Sequence, residues 1–303
     1  MPDLLPTPPG AWRRLRRSRR VLAAVGVLAL LSAAAVVGPM LAPEGYAEPS
    51  PATFEPPSWA HPLGTDLNGR DLLYRVLSGA RVSLLVGLAG ALVSLCIGTA
   101  YGMIAGYVGG RVDAAMMRGV DILYSVPRLI FILVFINAFD ARLKQWLVTQ
   151  GLTDWVGWSR LVILVVSLGL IEWLTMARIV RGQVLALKSL AFVSAARALG
   201  QSHTQIILRH LLPNLVGVVV VYLTLTIPSV ILDESFLSFL GLGIQAPQAS
   251  WGLLLSDGAQ VINPVKSYWW LLVFPAIVMS LALLAFNFLG DGLRDALDPR
   301  SRG

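Results

Sequence analysis

Four acidic side chains, Asp121, Glu172, Asp233 and Glu234, fall in or beside stretches otherwise apolar enough to live in lipid. A charge at the bilayer centre costs about 2.5–3.5 kcal/mol on insertion scales, so such groups face a polar cavity or a partner. That is the chemistry of moving polar cargo, and it fits an ion-coupled carrier as well as any other transporter. For Glu172 two readings stand open: a place on a translocation path, or an ion pair with a basic residue such as Arg178. For Asp233 and Glu234, a gate at the outer end of a span competes with solvation at a helix end. Catalytic patterns are missing. His61, His203 and His210 form no H-E-x-x-H, no G-x-S-x-G occurs, and no G-x-x-x-x-G-K-[ST] is present to cradle nucleotide phosphates. The one cysteine, Cys96, rules out a disulfide framework and a paired-thiol metal site, and reads as a small buried hydrophobe.

A second group of residues is small and polar rather than ionisable. SAARALGQSHTQIILRHLLPN, Ser194 to Asn214, lies between two apolar runs. Ala195, Ala196, Ala198 and Leu199 favour a helix that Gly200 is placed to end. Ser202 and Gln205 then make an S-x-x-Q capping box for a second helix, which Pro213 is expected to close off. The alanine face would let a partner approach closely, with His203 and Arg209 as polar edges. Local pattern alone leaves this docking hairpin level with a solvated loop.

The elements that must position these groups are membrane helices. Of 303 residues, 56% are hydrophobic and 14% charged, far from the roughly 25% charged of soluble domains. Uncharged runs of spanning length cover 21–43, 82–110, 211–232 and 267–290, and two interrupted ones cover about 114–138 and 161–180. The sequence therefore predicts an all-α polytopic membrane protein of about six spans. Arg13, Arg14, Arg16, Arg17, Arg19 and Arg20 precede the first span, and most of the 24 lysines and arginines fall on the same side, so both termini are expected in the cytoplasm. This accounts for the net charge of +7 without nucleic acid, since no basic patch carries interleaved aromatics. A proline-rich stretch before the second span predicts an extended, stiff link, with turns at Gly64, Asn68 and Gly69 and a helix cap at Asp71. Gly87, Gly90, Gly98, Gly102 and Gly106 give the second span a face for close helix packing. DARLKQWLVTQGLTDWVGWSR suits a helix lying in the outer interface. The fifth span is expected to break at Pro228 and to stop at Gly241 and Gly243, and the sixth carries Pro275.

SAARALG with its downstream LPN resembles the cytoplasmic "EAA" loop of ABC importer permeases, with Ser194 where that family usually carries Glu. HPLGTDLNGRDLL, GARVSLLVG, AGYVGGRVDAAMMRGVDILYSVP, WLTMARIVRGQVLALK, DESFLSFLGLG and FNFLGDGLRDALDP resemble, in order, the dipeptide/oligopeptide/nickel permease family, in the branch of its "C" subunit. The resemblance implies a type I ABC importer permease fold: a basic tail at 1–20, a first transmembrane helix at 21–43, an extracytoplasmic lead-in at 44–80, a core at 81–290 and a cytoplasmic tail at 291–303. Within the core it implies an ATPase-coupling loop at 181–213, with Ser194, Ala195, Ala196, Gly200, Ser202, Leu212 and Pro213 as its working residues. Glu234 belongs to the matched motif, whereas Asp233 stands where the family is usually apolar. The implied partners are a homologous second permease subunit, two ATP-binding subunits and an extracytoplasmic peptide-binding protein in the cytoplasmic membrane. ATP would be used by those subunits, and this chain would bind no cofactor. Trp173 to Asp257 looks closest to oligopeptide permeases, which places oligopeptides first, dipeptides second and nickel third. An ion-coupled carrier is the alternative from another class, and it would have no use for an ATPase dock.

Overall fold

A computed structural model describes residues 15–16, 18–42, 47–245, 248–262 and 266–297. Arg13, Arg14 and Arg17 of the basic block, Pro43, and residues 298–303 of the tail lie outside the described residues. Among the described residues the chain is helical, with one isolated bridge between Thr65 and Asp71. Within them five helices are long and apolar enough to cross a membrane, which makes six spans if one bent pair counts as a span.

Helix α1, Arg19–Leu41, is capped by Ser18, whose hydroxyl accepts from the Val21 N–H. It buries only Val21, Ala24 and Ala35, so most of its surface faces outward. Helix α2, Leu72–Val108, begins ten residues before the expected start of the second span, because the predicted cap at Asp71 opens the span itself. Its 37 residues reach about 55 Å, well beyond the hydrocarbon thickness. The glycine face packs as expected. An added Cβ on Gly87 or Gly90 would meet Ile231 or Val230 at 2.6 and 2.8 Å, and one on Gly98 would meet Met176 at 2.6 Å. Cys96 corrects its expectation, since it lies exposed on the outer face of α2 instead of in the core.

The third expected span is not straight. Helix α3, Gly110–Ser125, and helix α4, Arg128–Thr149, meet at 90°. Pro127 explains the break: it supplies no N–H, and it holds Val126 in the extended region at φ −78° and ψ 126°. The outer tryptophan stretch is partly the end of α4 and partly a 3-10 turn, Thr153–Trp158, reached through Gly151 at φ +72°. Helix α5, Ser159–Leu187, is the most buried of the spanning helices. The main core, including Val86, Leu164, Leu168 and Val230, lies where α2 and α5 meet the helix that carries Val230.

After the short helix α6, Ala191–Ala198, the chain runs through α7, His203–Phe239. Pro213 therefore does not close off a separate helix, as the sequence suggested. A π-helical turn at Ile206–Leu211 comes just before it and widens the backbone where the proline lacks its N–H. Pro228 is likewise carried inside the helix, which ends at Gly241 with φ +75°.

Helix α8, Trp251–Gln260, was not foreseen. Its hydrophobic run is too short for a span, and its docking depends on a contact far away in sequence. A Cβ on Gly252 would lie 2.4 Å from Ser235 of α7, and Trp251 is fully buried. Helix α9, Trp270–Leu297, carries Pro275 and extends seven residues into the stretch expected to be tail.

The link before α2 is a further correction. Instead of an extended rod, residues 47–71 fold into a compact lobe against α8 and α9. Ser50 N–H donates to Asn68 O, Thr65 N–H donates to Glu55 O, and Phe54 stacks on Tyr268 at 4.1 Å. Gly64 (φ +81°) and Gly69 (φ +72°) provide the tight turns expected of them. Arg75 ties the lobe to the bundle, donating to Asp66 at 2.6 Å and to Asp257 of α8 at 3.3 Å. Burial pushes the Asp257 carboxyl up from its usual range, and the adjacent Arg75 guanidinium pulls it back. The prolines stiffen turns in this lobe rather than a free linker.

Candidate functional site

The hairpin sits at the opposite end of the bundle from the lobe, across the length of α2 and α7. Helix α6 ends as its composition demands: Gly200, at φ +75°, donates to Arg197 O, and Gln201 N–H reaches back to Ala196 O. Ser202 accepts from Gln205 N–H at 3.3 Å while Gln205 Oε1 accepts from Ser202 N–H at 3.0 Å, which completes the capping box. Val193, Ala196, Ile206 and Leu211 bury against Val180 and Val184 of α5 and Tyr107 of α2. Tyr107 OH also hydrogen-bonds His203 Nδ1 at 2.8 Å, and His210 Nε2 hydrogen-bonds Gln201 at 2.7 Å. The hairpin is thus pinned to the bundle, not a loose solvated loop.

The pinning divides the expected docking residues into two sets. Ala196 faces inward and is part of the anchor, so it offers nothing to a partner. Ser194, Ala195, Gly200, Ser202 and Pro213 are exposed, Leu212 is half-buried, and Leu199 is 80% exposed. A small-residue surface with exposed leucines, Leu199 and Leu208 among them, is what remains for contact.

The charged residues inside the bundle also pair differently from the first expectation. Glu172 of α5 accepts from Arg128, at the start of α4, and not from Arg178. Arg178 instead donates to Asp121 at 2.7 Å and lies 4.1 Å over the Tyr124 ring. Asp233 of α7 lies 3.4 Å from Arg128 Nη1. Arg128 was visible in the sequence as a charge within a span, but its two carboxylates are 44 and 105 positions away, and no local pattern connects them.

Glu234 is fully buried, which overturns solvation at a helix end. It accepts from Ser238 at 2.7 Å, Ser83 of α2 at 3.2 Å and Ser235 at 3.4 Å. Ser83 in turn accepts from Trp251 N–H at the first turn of α8. The carboxylate therefore joins three helices beneath the N-terminal end of α8, where a helix dipole favours negative charge. Adjacent residues on α7 serve opposite purposes: Glu234 locks helices together, and Asp233 points toward a guanidinium. Among the described residues no group of three His, Cys, Asp or Glu could hold a metal ion.

A bundle of spanning helices with ionised residues inside and a pinned hairpin at one end defines a membrane transport subunit. Comparison with known proteins makes that specific. Residues 98–303 match the family described as the inner membrane component of binding-protein-dependent transport systems, and residues 10–57 match the N-terminal transmembrane domain of oligopeptide transport permease C. The chain is 44% identical over 293 residues to the dipeptide transport system permease protein DppC of Bacillus subtilis, covering 96% of this chain and 85% of that one. It is 45% identical over 295 residues to the oligopeptide transport system permease protein OppC of Escherichia coli K12, covering 96% and 91%. To OppC of Mycobacterium bovis it is 37% identical over 291 residues, covering 96% and 94%. The chain belongs to the binding-protein-dependent transport permease family, which removes the ion-coupled carrier from consideration.

Proposed function

We propose that this chain is one of two membrane-spanning subunits of an ATP-driven importer of oligopeptides, with dipeptides as the second substrate class. Its partners are a homologous permease subunit, two ATP-binding subunits and an extracytoplasmic peptide-binding protein, in the cytoplasmic membrane. ATP is bound and hydrolysed by those subunits, and this chain holds no cofactor. The observation that carries the reading is the hairpin, a small-residue surface pinned by Tyr107–His203 and the Val193–Ala196 face to the helices that must move. Because α7 begins inside the hairpin, a push from a closing ATPase passes directly into a spanning helix. The relatives, which are oligopeptide and dipeptide transport permeases, support peptide cargo and not the nickel alternative.

Deleting the gene in an amino-acid auxotroph lacking other peptide importers should abolish growth on tri- to pentapeptides that supply the missing residue, while the free amino acid still rescues. Continued peptide uptake with lost nickel accumulation would replace the assignment.

The orientation follows from the positive-inside bias and places both termini, and the hairpin, in the cytoplasm. In a Cys96→Ala background, Thr53→Cys in the lobe should react with a membrane-impermeant thiol reagent added to intact cells. Ser202→Cys should react only after permeabilisation. The reverse pattern would invert the topology.

A further inference from the structure

Charged and polar residues from α3, α4, α5 and α7 line up into a seam: Asp121, Arg128, Glu172, Arg178 and Asp233. Three of its side chains are open, Asp121 at 65%, Arg178 at 45% and Arg128 at 44% exposed, while Glu172 and Asp233 are mostly covered. Charges exposed to this degree in a spanning bundle do not face hydrocarbon, so the seam borders a water-filled path or the facing subunit. Beside it, reached by Arg128, is a cavity of roughly 420 Å³, formed at the α3–α4 bend and lined also by Tyr124, Ser125 and Thr175 among apolar neighbours.

The seam is not electrically balanced. Asp121 and Arg178 cancel, but Arg128 alone faces two carboxylates, Glu172 and Asp233. The N-terminal end of α4 adds a partial positive charge of about half a unit, and the cluster still carries a net negative charge. The two carboxylates are held unequally. Glu172 is hydrogen-bonded by Arg128, while Asp233 Oδ2 is buried, lies 3.4 Å from the guanidinium and has no hydrogen bond among the described residues. A buried carboxylate oxygen without a donor is costly, and a cation able to donate hydrogen bonds would relieve it.

Resting on the peptide-import reading, we propose that Asp233 receives the terminal ammonium of the passing peptide, with Arg128 and Glu172 as the fixed pair that positions it. An ammonium brings both missing features, a positive charge and N–H donors, and every peptide with a free N-terminus carries one. Arg128 keeps its bond to Glu172, so the ammonium replaces or shares only the longer 3.4 Å contact between Arg128 and Asp233. Its half-exposed guanidinium edge then faces the cavity beyond. The site recognises a feature common to all peptides and reads no side chain, as a permissive importer requires.

The test uses the complete transporter, this chain with its cognate subunits, in proteoliposomes. Uptake of a tetrapeptide with a free N-terminus is measured against its N-acetylated form. Selection by the binding protein is the same for every variant and cancels when the free-to-acetylated ratio is compared with wild type. Asp233→Asn should lower that ratio about tenfold, the lower end of what a hydrogen bond to a charged group is worth. Asp233→Glu, which keeps the charge, should hold a ratio near wild type. A wild-type ratio retained in Asp233→Asn would overturn the proposal. So would an Asp233→Asn transporter inactive toward both peptides accompanied by an Asp233→Glu ratio that collapses. If wild type imports neither peptide, it is the peptide reading itself that fails.

Discussion

Gly200→Val should abolish the coupling of ATP hydrolysis to transport while leaving the membrane bundle intact. Gly200 holds φ +75°, a region where an L-residue costs about 1–2 kcal/mol and a β-branched one more. Helix α6 has only eight residues to absorb that strain, so the turn between it and Ser202 must open. An added Cβ meets nothing within 4 Å inside the chain, so the substitution creates no clash with the bundle. The damage is confined to the exposed surface of the hairpin. Peptide-stimulated ATPase activity of the assembled transporter is expected to fall at least about tenfold, as displacement of a positioning element by an ångström can do. Gly200→Ala should give an intermediate loss. Wild-type stimulation in the valine variant would remove the hairpin from the coupling path.

The second large effect is expected at the other kind of glycine. Gly102 lets α2 touch α5: a Cβ there would sit 2.5 Å from Ala177 O and 2.9 Å from the Val180 Cβ. Backbone cannot yield as a flexible side chain can, so Gly102→Val must drive the two helices apart. Overpacking of this kind costs about 1–3 kcal/mol or more, and here it also strips neighbouring contacts at Gly98 and Gly106. The yield of folded, detergent-stable protein should collapse, and the temperature of aggregation should drop. Gly26→Ala on α1, with nothing within 4 Å of its Cβ, is the matched control and should leave both unchanged. Equal behaviour of the two variants would show that the glycine face is not an interface.

The residues that were legible in the sequence are those whose role is local. Ser202 with Gln205, Gly200 after three alanines, Asp71 before Leu72 and the turn glycines of the lobe all act within a few positions, and each stands where its type required. The glycine spacing on α2 could be read as a packing face, but its partners could not, because α5 and α7 lie far along the chain. The misreadings share that cause. Glu172 does pair with a basic residue, one of its two open readings, but the partner is Arg128 on another helix and not Arg178, six positions away on its own. Pro213 reads as a stop in the sequence, yet a π-turn lets the helix continue there, and Pro127, which the charge-interrupted run at 114–138 does not single out, is where the chain turns 90°. A proline states that one hydrogen bond is missing; the surrounding packing decides whether the helix bends, widens or breaks. Cys96 followed the same logic, since hydrophobicity in a spanning helix does not tell core from lipid.

The glycine face of α2 also bears on how the protein is made. The helix is complete at Val108, but α5 starts at Ser159 and α7 ends at Phe239, so both surfaces that close over the glycines are synthesised later. At about 5–20 residues per second, α2 waits several seconds in the membrane with its close-approach face uncovered. The α3–α4 bend is produced during that wait and must leave the face free. Biogenesis of this permease is therefore ordered by its smallest side chains, and a bulkier residue at any of them would be felt first during insertion, before a transporter exists to be assayed.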